Sequence, residues 1–161
     1  MFFAETQNKL LFAVTGKTAA EIIVNRAAAD KKNMGLTSWK GAIVRKQDIL
    51  IAKNYLTEDE IDTLNRLVVI FLETAELTVK ERKELTMKFW NENIDNLLQF
   101  QKRKILSGSG SLSKLEMEEF ATKIYEDFNQ KRKEYDAQLA DEKDIEEIKE
   151  IEIRLRKRQK K

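Results

Sequence analysis

Thr57-Glu58-Asp59-Glu60-Ile61-Asp62-Thr63-Leu64-Asn65-Arg66-Leu67-Val68-Val69-Ile70-Phe71-Leu72-Glu73-Thr74-Ala75 is the stretch that decides the fold class. Thr57 and Glu60 form a capping box: the threonine oxygen accepts from the amide three residues on, and the glutamate reaches back to the threonine amide. Beyond it Ile61, Leu64, Val68, Phe71 and Ala75 recur at alternating spacings of three and four, the signature of one helix face. Leu67 and Leu72 widen that face. A stripe this wide predicts the central helix of a bundle, over about residues 58–84.

The segments around it read the same way. Residues 2–14 form a first helix with Phe3, Leu10, Leu11 and Val14 on one face and Gly16 as its stop. Thr18-Ala19-Ala20-Glu21 is a second capping box and opens a helix to about residue 29, with Ile22, Ile23 and Ala27 inward. A fourth helix, about 87–106, follows Thr86 and carries Met87, Trp90, Ile94 and Leu97. Ser107-Gly108-Ser109-Gly110-Ser111 reads as a flexible linker. Ser113-Lys114-Leu115-Glu116 is a third capping box; its helix carries Leu115, Phe120, Ile124 and Phe128 to about residue 140. Residues 141–161 extend it or form a last helix. The 161 residues contain no proline, which suits long helices. The expectation is an all-α helical bundle of five or six helices with a long C-terminal helix: one domain over 1–140 and a helical extension over 141–161.

Charge is unevenly spread. The net value is +2, too small to imply nucleic acid by itself. Residues 1–56 hold nine bases and four acids, and residues 57–85 hold four bases and eight acids. In the tail, residues 141–152 hold seven acids and two bases, and residues 153–161 hold six bases and no acid. Acids first and bases last suit the helix dipole. The basic end itself is a candidate grip for phosphate or RNA. Ile145, Ile148, Ile151 and Leu155 form a narrow apolar stripe, as in a two-helix seam.

With no cysteine and no histidine, thiol nucleophiles, Ser-His-Asp triads and zinc sites built on those ligands are excluded. No disulfide can form, which fits a reducing cytoplasm. No apolar run approaches the ~20 residues that cross a bilayer. Gly16-Lys17-Thr18 has the end of a phosphate-binding loop but Leu11 where that motif needs glycine. Ser111-Leu112-Ser113-Lys114 has the form Ser-x-x-Lys without its companion motifs. Glu73 and Glu76 lie one turn apart with no histidine to complete a metal set. These readings point to no enzyme, no cofactor and no metal.

Residues 33–56 are the one stretch without continuous helical period. They hold Gly35, Gly41 and Trp39. Both glycines suit turns, residues 42–44 suit extended chain, and Asp48 suits the cap of a short helix. Arg26, Trp39, Lys53, Asn54, Asn65 and Arg66, together with Asn25, are a candidate polar binding set or the hydrogen-bonding partners of loop backbone. Lys31, Lys32, Lys40, Arg45, Lys46 and Lys53 are a candidate nucleic-acid patch. An enzyme site using Glu, Lys, Tyr or Ser would need a pocket around Trp39, Lys53, Asn54 and Arg66.

Several strings look familiar. Gln7-Asn8-Lys9-Leu10, Ala13-Val14-Thr15-Gly16, Thr18-Ala19-Ala20-Glu21-Ile22-Ile23 and Arg26-Ala27 come first. Asn33-Met34-Gly35-Leu36-Thr37-Ser38-Trp39-Lys40 is the most recognisable. Ala52-Lys53-Asn54-Tyr55-Leu56, Leu64-Asn65-Arg66, Ala75-Glu76, Trp90 and Leu97-Leu98-Gln99-Phe100 continue in order. Over about residues 1–128 the chain resembles the C-terminal half of the RhuM family of bacterial proteins. Some members are described as virulence-associated and some as DNA-binding. The chain departs from the family at Phe89, at Gln101-Lys102-Arg103-Lys104 and over residues 129–161. The resemblance carries over no catalytic residue. It implies a non-enzymatic module that meets its missing N-terminal half, a second copy of itself, or a partner in a DNA-associated complex.

Overall fold

The computed structural model describes the backbone of residues 2–159 and the side chains of residues 3–153. Five α-helices follow one another: α1 (Phe2–Thr15), α2 (Ala19–Arg26), α3 (Glu58–Lys80), α4 (Met87–Phe100) and α5 (Lys114–Gln159). Three 3-10 turns, Lys32–Gly35, Asp48–Leu50 and Ala52–Tyr55, carry the chain from α2 to α3. No strand occurs among the described residues. The protein is all-α, as its apolar periods require.

All three capping boxes form. Thr18 and Glu21 close the start of α2, Thr57 and Glu60 that of α3. At α5, Ser113 Oγ accepts from the Glu116 amide at 3.2 Å and Glu116 accepts from the Ser113 amide at 2.8 Å. Each box satisfies amides that a helix start leaves without intrahelical partners.

α1 separates two cores. Leu11 enters one with Ile22 and Ile23 of α2, Met34, Ile49 and Tyr55 of the 33–56 segment, and Met117 and Ala121 of α5. Leu10 and Ala13 enter the other with Leu67 and Phe71 of α3 and Ile94, Leu97 and Leu98 of α4. Successive helical residues point about 100° apart, so Leu10 and Leu11 face different neighbours. Lys9 donates to both Asp95 oxygens at 2.6 and 2.8 Å, tying α1 to α4. Phe71 and Trp90 pack with ring centroids 5.1 Å apart.

Several expected faces shift. Phe3, Leu72, Met87 and Leu115 are exposed. The α5 face is instead set by Met117 and Ala121, with Phe120, Ile124 and Phe128 against it. α2 stops at Arg26, because Ala27 is already extended at ψ 127°. α3 and α4 end at Lys80 and Phe100, earlier than their apolar periods suggest. Each closes in a Schellman motif without glycine. Arg82 (φ 59°) donates to Val79 and Lys83 donates to Thr78; Lys102 (φ 53°) donates to Gln99 and Arg103 donates to Leu98.

The Gly-Ser tract is not a free linker. The Ser111 amide and hydroxyl both donate to Glu21, at 2.8 and 2.6 Å, and Gly110 lies against Thr18. Asp48 does not cap the helix that follows it; its carboxylate accepts from the Arg45 amide at 2.8 Å and closes the preceding turn.

α5 is a single 46-residue helix, about 69 Å long at 1.5 Å per residue. It passes residue 140 without interruption. Its first turns pack on α2 and on the 3-10 turns of the 33–56 segment. Every described side chain from residue 133 to 153 is exposed. The acids of residues 141–152 therefore sit far inside the helix, where the dipole has faded, so the dipole does not account for them. The basic side chains of residues 154–161 lie outside the described side chains.

Candidate functional site

Residues 33–56 fold without a regular ladder, so their backbone groups are satisfied partly by short backbone turns and partly by side chains. The Thr37 hydroxyl donates to the carbonyls of Asn54 and Leu56 at 3.0 and 2.6 Å, and the Thr37 amide donates to Asn54 at 2.7 Å. Asn54 Nδ2 donates to the Asp48 carbonyl at 2.9 Å. The buried Tyr55 hydroxyl donates to the Ile49 carbonyl at 3.0 Å, and burial pushes its pKa upward. Gly35 (φ +83°) brings its Cα so close to α2 that a Cβ there would stand 2.4 Å from the Arg26 carbonyl oxygen.

Arg26 is the joint of this region. Its guanidinium donates to the Tyr55 carbonyl at 2.7 Å and to both Glu60 oxygens at 2.6 Å. Glu60 is also the capping-box acid of α3. One fork thus ties the end of α2, the end of the 33–56 segment and the start of α3. The Arg26 hydrogen bond, first among several causes, holds the Glu60 carboxyl below its ordinary range, and Glu60 in turn raises Arg26.

The other candidate residues divide. Trp39 is half-buried on the core of α2, α5 and the 33–56 segment, and its buried indole nitrogen has no hydrogen-bond partner. Lys40, Arg45, Lys46 and Lys53 are exposed, as are Lys31 and Lys32. Among the described residues, Lys32, Lys40, Arg45, Lys46 and Lys53 form no ion pair. Asn65 and Arg66 are exposed on α3, where Arg66 pairs with Asp62 one turn away at 2.7 Å. No hydrogen bond or ion pair joins Trp39, Lys53 and Arg66. The polar set is therefore split between inward struts, Arg26 and Asn54, and outward cations.

A groove of ≈ 880 Å³ lies elsewhere, between α1, the starts of α2 and α5, and residues 50–52. Asn8, Thr18, Ile51, Ser111 and Met117 contribute to its walls. Part of its polar lining is already bonded within the protein. Asn8 accepts from the Ala19 amide at 3.0 Å, and Glu21 takes the Thr18 amide and both Ser111 donors. The Ser111 hydroxyl, then the Thr18 and Ser111 amides, hold the Glu21 carboxyl down to about 2. The repeated Gly-Ser pairs were the one sequence signal of this docking, and flexible linkers share it. Among the described residues, no group of three or more His, Cys, Asp or Glu converges as a metal set, and no helix is long and apolar enough to cross a membrane.

The third surface feature is the far half of α5. Tyr135, Leu139, Ile145, Ile148, Ile151 and Ile153 stand 46–60% exposed along it; the body also leaves apolar side chains exposed, among them Val69, Leu72, Leu77 and Val79 of α3.

Fold and surface together define an all-α protein with a compact helical body and one helix projecting from it. The family model for the virulence protein RhuM family matches residues 1–136, and the chain belongs to that family. The match ends close to where α5 leaves the body, so most of the exposed helix lies beyond it. No curated protein and no solved structure matches the chain.

Proposed function

We propose that this RhuM-family protein is a non-enzymatic interaction module, whose body presents the far half of α5 for docking to another protein chain. The setting implied by the family resemblance is a DNA-associated complex. One observation carries the reading: every described side chain from 133 to 153 is exposed, six large apolar ones included. Helices in water draw most of their stability from burying an apolar face, and this length buries none within the chain. Truncation after Arg132 tests it. The body should keep its urea midpoint while the chain loses its capacity to associate in sedimentation. A body destabilised by more than about 2 kcal/mol, the scale of a lost core contact, would mean that the projecting helix supports the fold instead.

Five exposed, unpaired cations on residues 32–53 favour a second reading, direct binding of nucleic acid. Such binding weakens steeply with salt through counterion release. Duplex and single-stranded DNA should shift in a gel at low salt, and Lys40, Arg45 and Lys46 changed together to Ala should abolish the shift. No shift at low salt ends this reading.

A further inference from the structure

The outer face of α3 carries a pattern that the fold does not use. Leu72, Glu76 and Val79 stack at spacings of four and three, and Val69, Glu73 and Leu77 stack beside them at spacings of four. Each row sets a glutamate between two apolar side chains. Successive helical residues turn by about 100°, so the six share one face about 160° wide. It lies opposite Leu67, Phe71 and Ala75, which α3 buries. The four apolar side chains stand 49–56% exposed. Among the described residues, exposed Glu73 and Glu76 form no ion pair, not even with Lys80 one turn beyond Glu76.

The end of α4 carries the converse pattern. Phe100 is 82% exposed and Ile105 41%. Between them Lys102, Arg103 and Lys104 are exposed and, among the described residues, without an ion pair. The Schellman close of α4 holds the backbone of Lys102 and Arg103, so a partner meets cations on an ordered loop and binding costs less ordering. Exposed apolar patches rimmed by polar groups mark contact sites. One patch has acids among apolar side chains, the other has cations among apolar side chains.

We infer that the two patches meet between two copies of this chain, the outer face of α3 in one against residues 100–105 of the other. The inference goes beyond the docking of α5 and does not depend on it. Glu76 lies five residues beyond Phe71 on α3, and Phe100 lies ten residues beyond Trp90 on α4; Phe71 and Trp90 touch. The patches therefore lie within about 30 Å of each other, the breadth of one ordinary interface. A two-fold axis then closes both contacts at once, each copy offering its α3 to the other's loop and its loop to the other's α3.

Reciprocal contact makes a specific prediction for the full chain. Sedimentation velocity over a concentration series should show a monomer–dimer equilibrium. Glu73→Lys with Glu76→Lys sets like charges across both contacts, as does Arg103→Glu with Lys104→Glu. Each double change should raise Kd about tenfold or more and leave helical circular dichroism unchanged, because all four side chains are exposed. Mixed in equal amounts, the two variants should form a heterodimer about tenfold tighter than either homodimer, because opposite charges face each other again at both contacts. Phe100→Ser should weaken the dimer without moving the urea midpoint. A monomer at every concentration, variants that dimerise like the native chain, or a mixture no tighter than its components would each overturn the inference. A monomer that shifts DNA in a gel, with the shift lost on Arg103→Glu and Lys104→Glu, would overturn it in favour of nucleic acid as the occupant of the loop. A dimer unmoved by both double changes but lost on truncation after Arg132 would overturn it and leave the docking of α5 standing.

Discussion

Gly108 and Gly110 offer a matched pair for asking whether the Gly-Ser tract is held against the body. Both sit at φ +91° in the same exposed loop, so alanine meets the same backbone cost at each, about 1–2 kcal/mol for a left-handed L-residue. Their surroundings differ. A Cβ on Gly108 meets nothing within 4 Å, whereas one on Gly110 would lie 2.6 Å from Thr18 Cγ2 and 3.0 Å from Thr18 Oγ1. Thr18 is 1% exposed, and its oxygen accepts from the Glu21 amide to cap α2. It cannot turn away without giving up that cap, worth about 1 kcal/mol. The alternative, loosening the loop, releases the Ser111 bonds to Glu21. Overpacking of this kind adds about 1–3 kcal/mol. Gly108→Ala should therefore cost about 1 kcal/mol and Gly110→Ala about 3 kcal/mol in urea unfolding followed by circular dichroism, or roughly 3 °C and 9 °C in melting temperature. The difference between the two isolates the contact from the backbone strain. Equal losses, within about 0.5 kcal/mol, would refute the docking of this loop on α2.

Three further perturbations read other joints. Glu21 titrates at about 2 when folded and near 4.5 when free, so its contribution is present above pH 4.5 and is lost as pH falls towards 2. Discounted for solvent screening it is worth about 1 kcal/mol. Urea midpoints measured down to pH 2 should fall more steeply for the native chain than for Glu21→Gln, and parallel curves would contradict the assignment. Arg26→Lys keeps the charge but loses the two-pronged geometry to Glu60, costing about 1–2 kcal/mol; an unchanged midpoint would mean that the fork holds nothing. Arg82→Gly and Lys102→Gly relieve left-handed residues at two helix ends, each raising stability by about 0.5–1 kcal/mol, and a loss at either site would show that the side chain matters more than the backbone.

The helices were legible because each begins with its own signal and carries a face of period 3.6. Thr18, Thr57 and Ser113 mark starts that the structure reproduces to the residue. The ends were not legible, for a physical reason. A Schellman close is usually announced by glycine, and here Arg82 and Lys102 take the left-handed position. Apolar period alone then overran α3 by four residues and α4 by six. Faces blurred where one helix serves two cores, as α1 does with Leu10 and Leu11. The Ser107–Ser111 tract misled because composition speaks of the unfolded chain's freedom, whereas the docking of Ser111 depends on Glu21, ninety residues earlier.

The region around residues 33–56 was conspicuous for a related reason. A segment with no ladder leaves its amides and carbonyls to be satisfied one by one, so polar residues gather where the backbone needs them. Thr37, Asn54, Asp48 and Arg26 each bond main-chain groups of that segment. A density of polar side chains there is the mark of an irregular chain folded tightly, before it is the mark of a ligand. What such a segment leaves for function is the remainder: side chains whose bonding capacity the fold does not use. In this protein the remainder includes the outward cations of residues 32–53 and the exposed apolar side chains of the helix beyond residue 133. The first can steer a polyanion but has no pocket geometry to select one. The second has direction and an apolar period, the properties that a helix-to-helix contact reads.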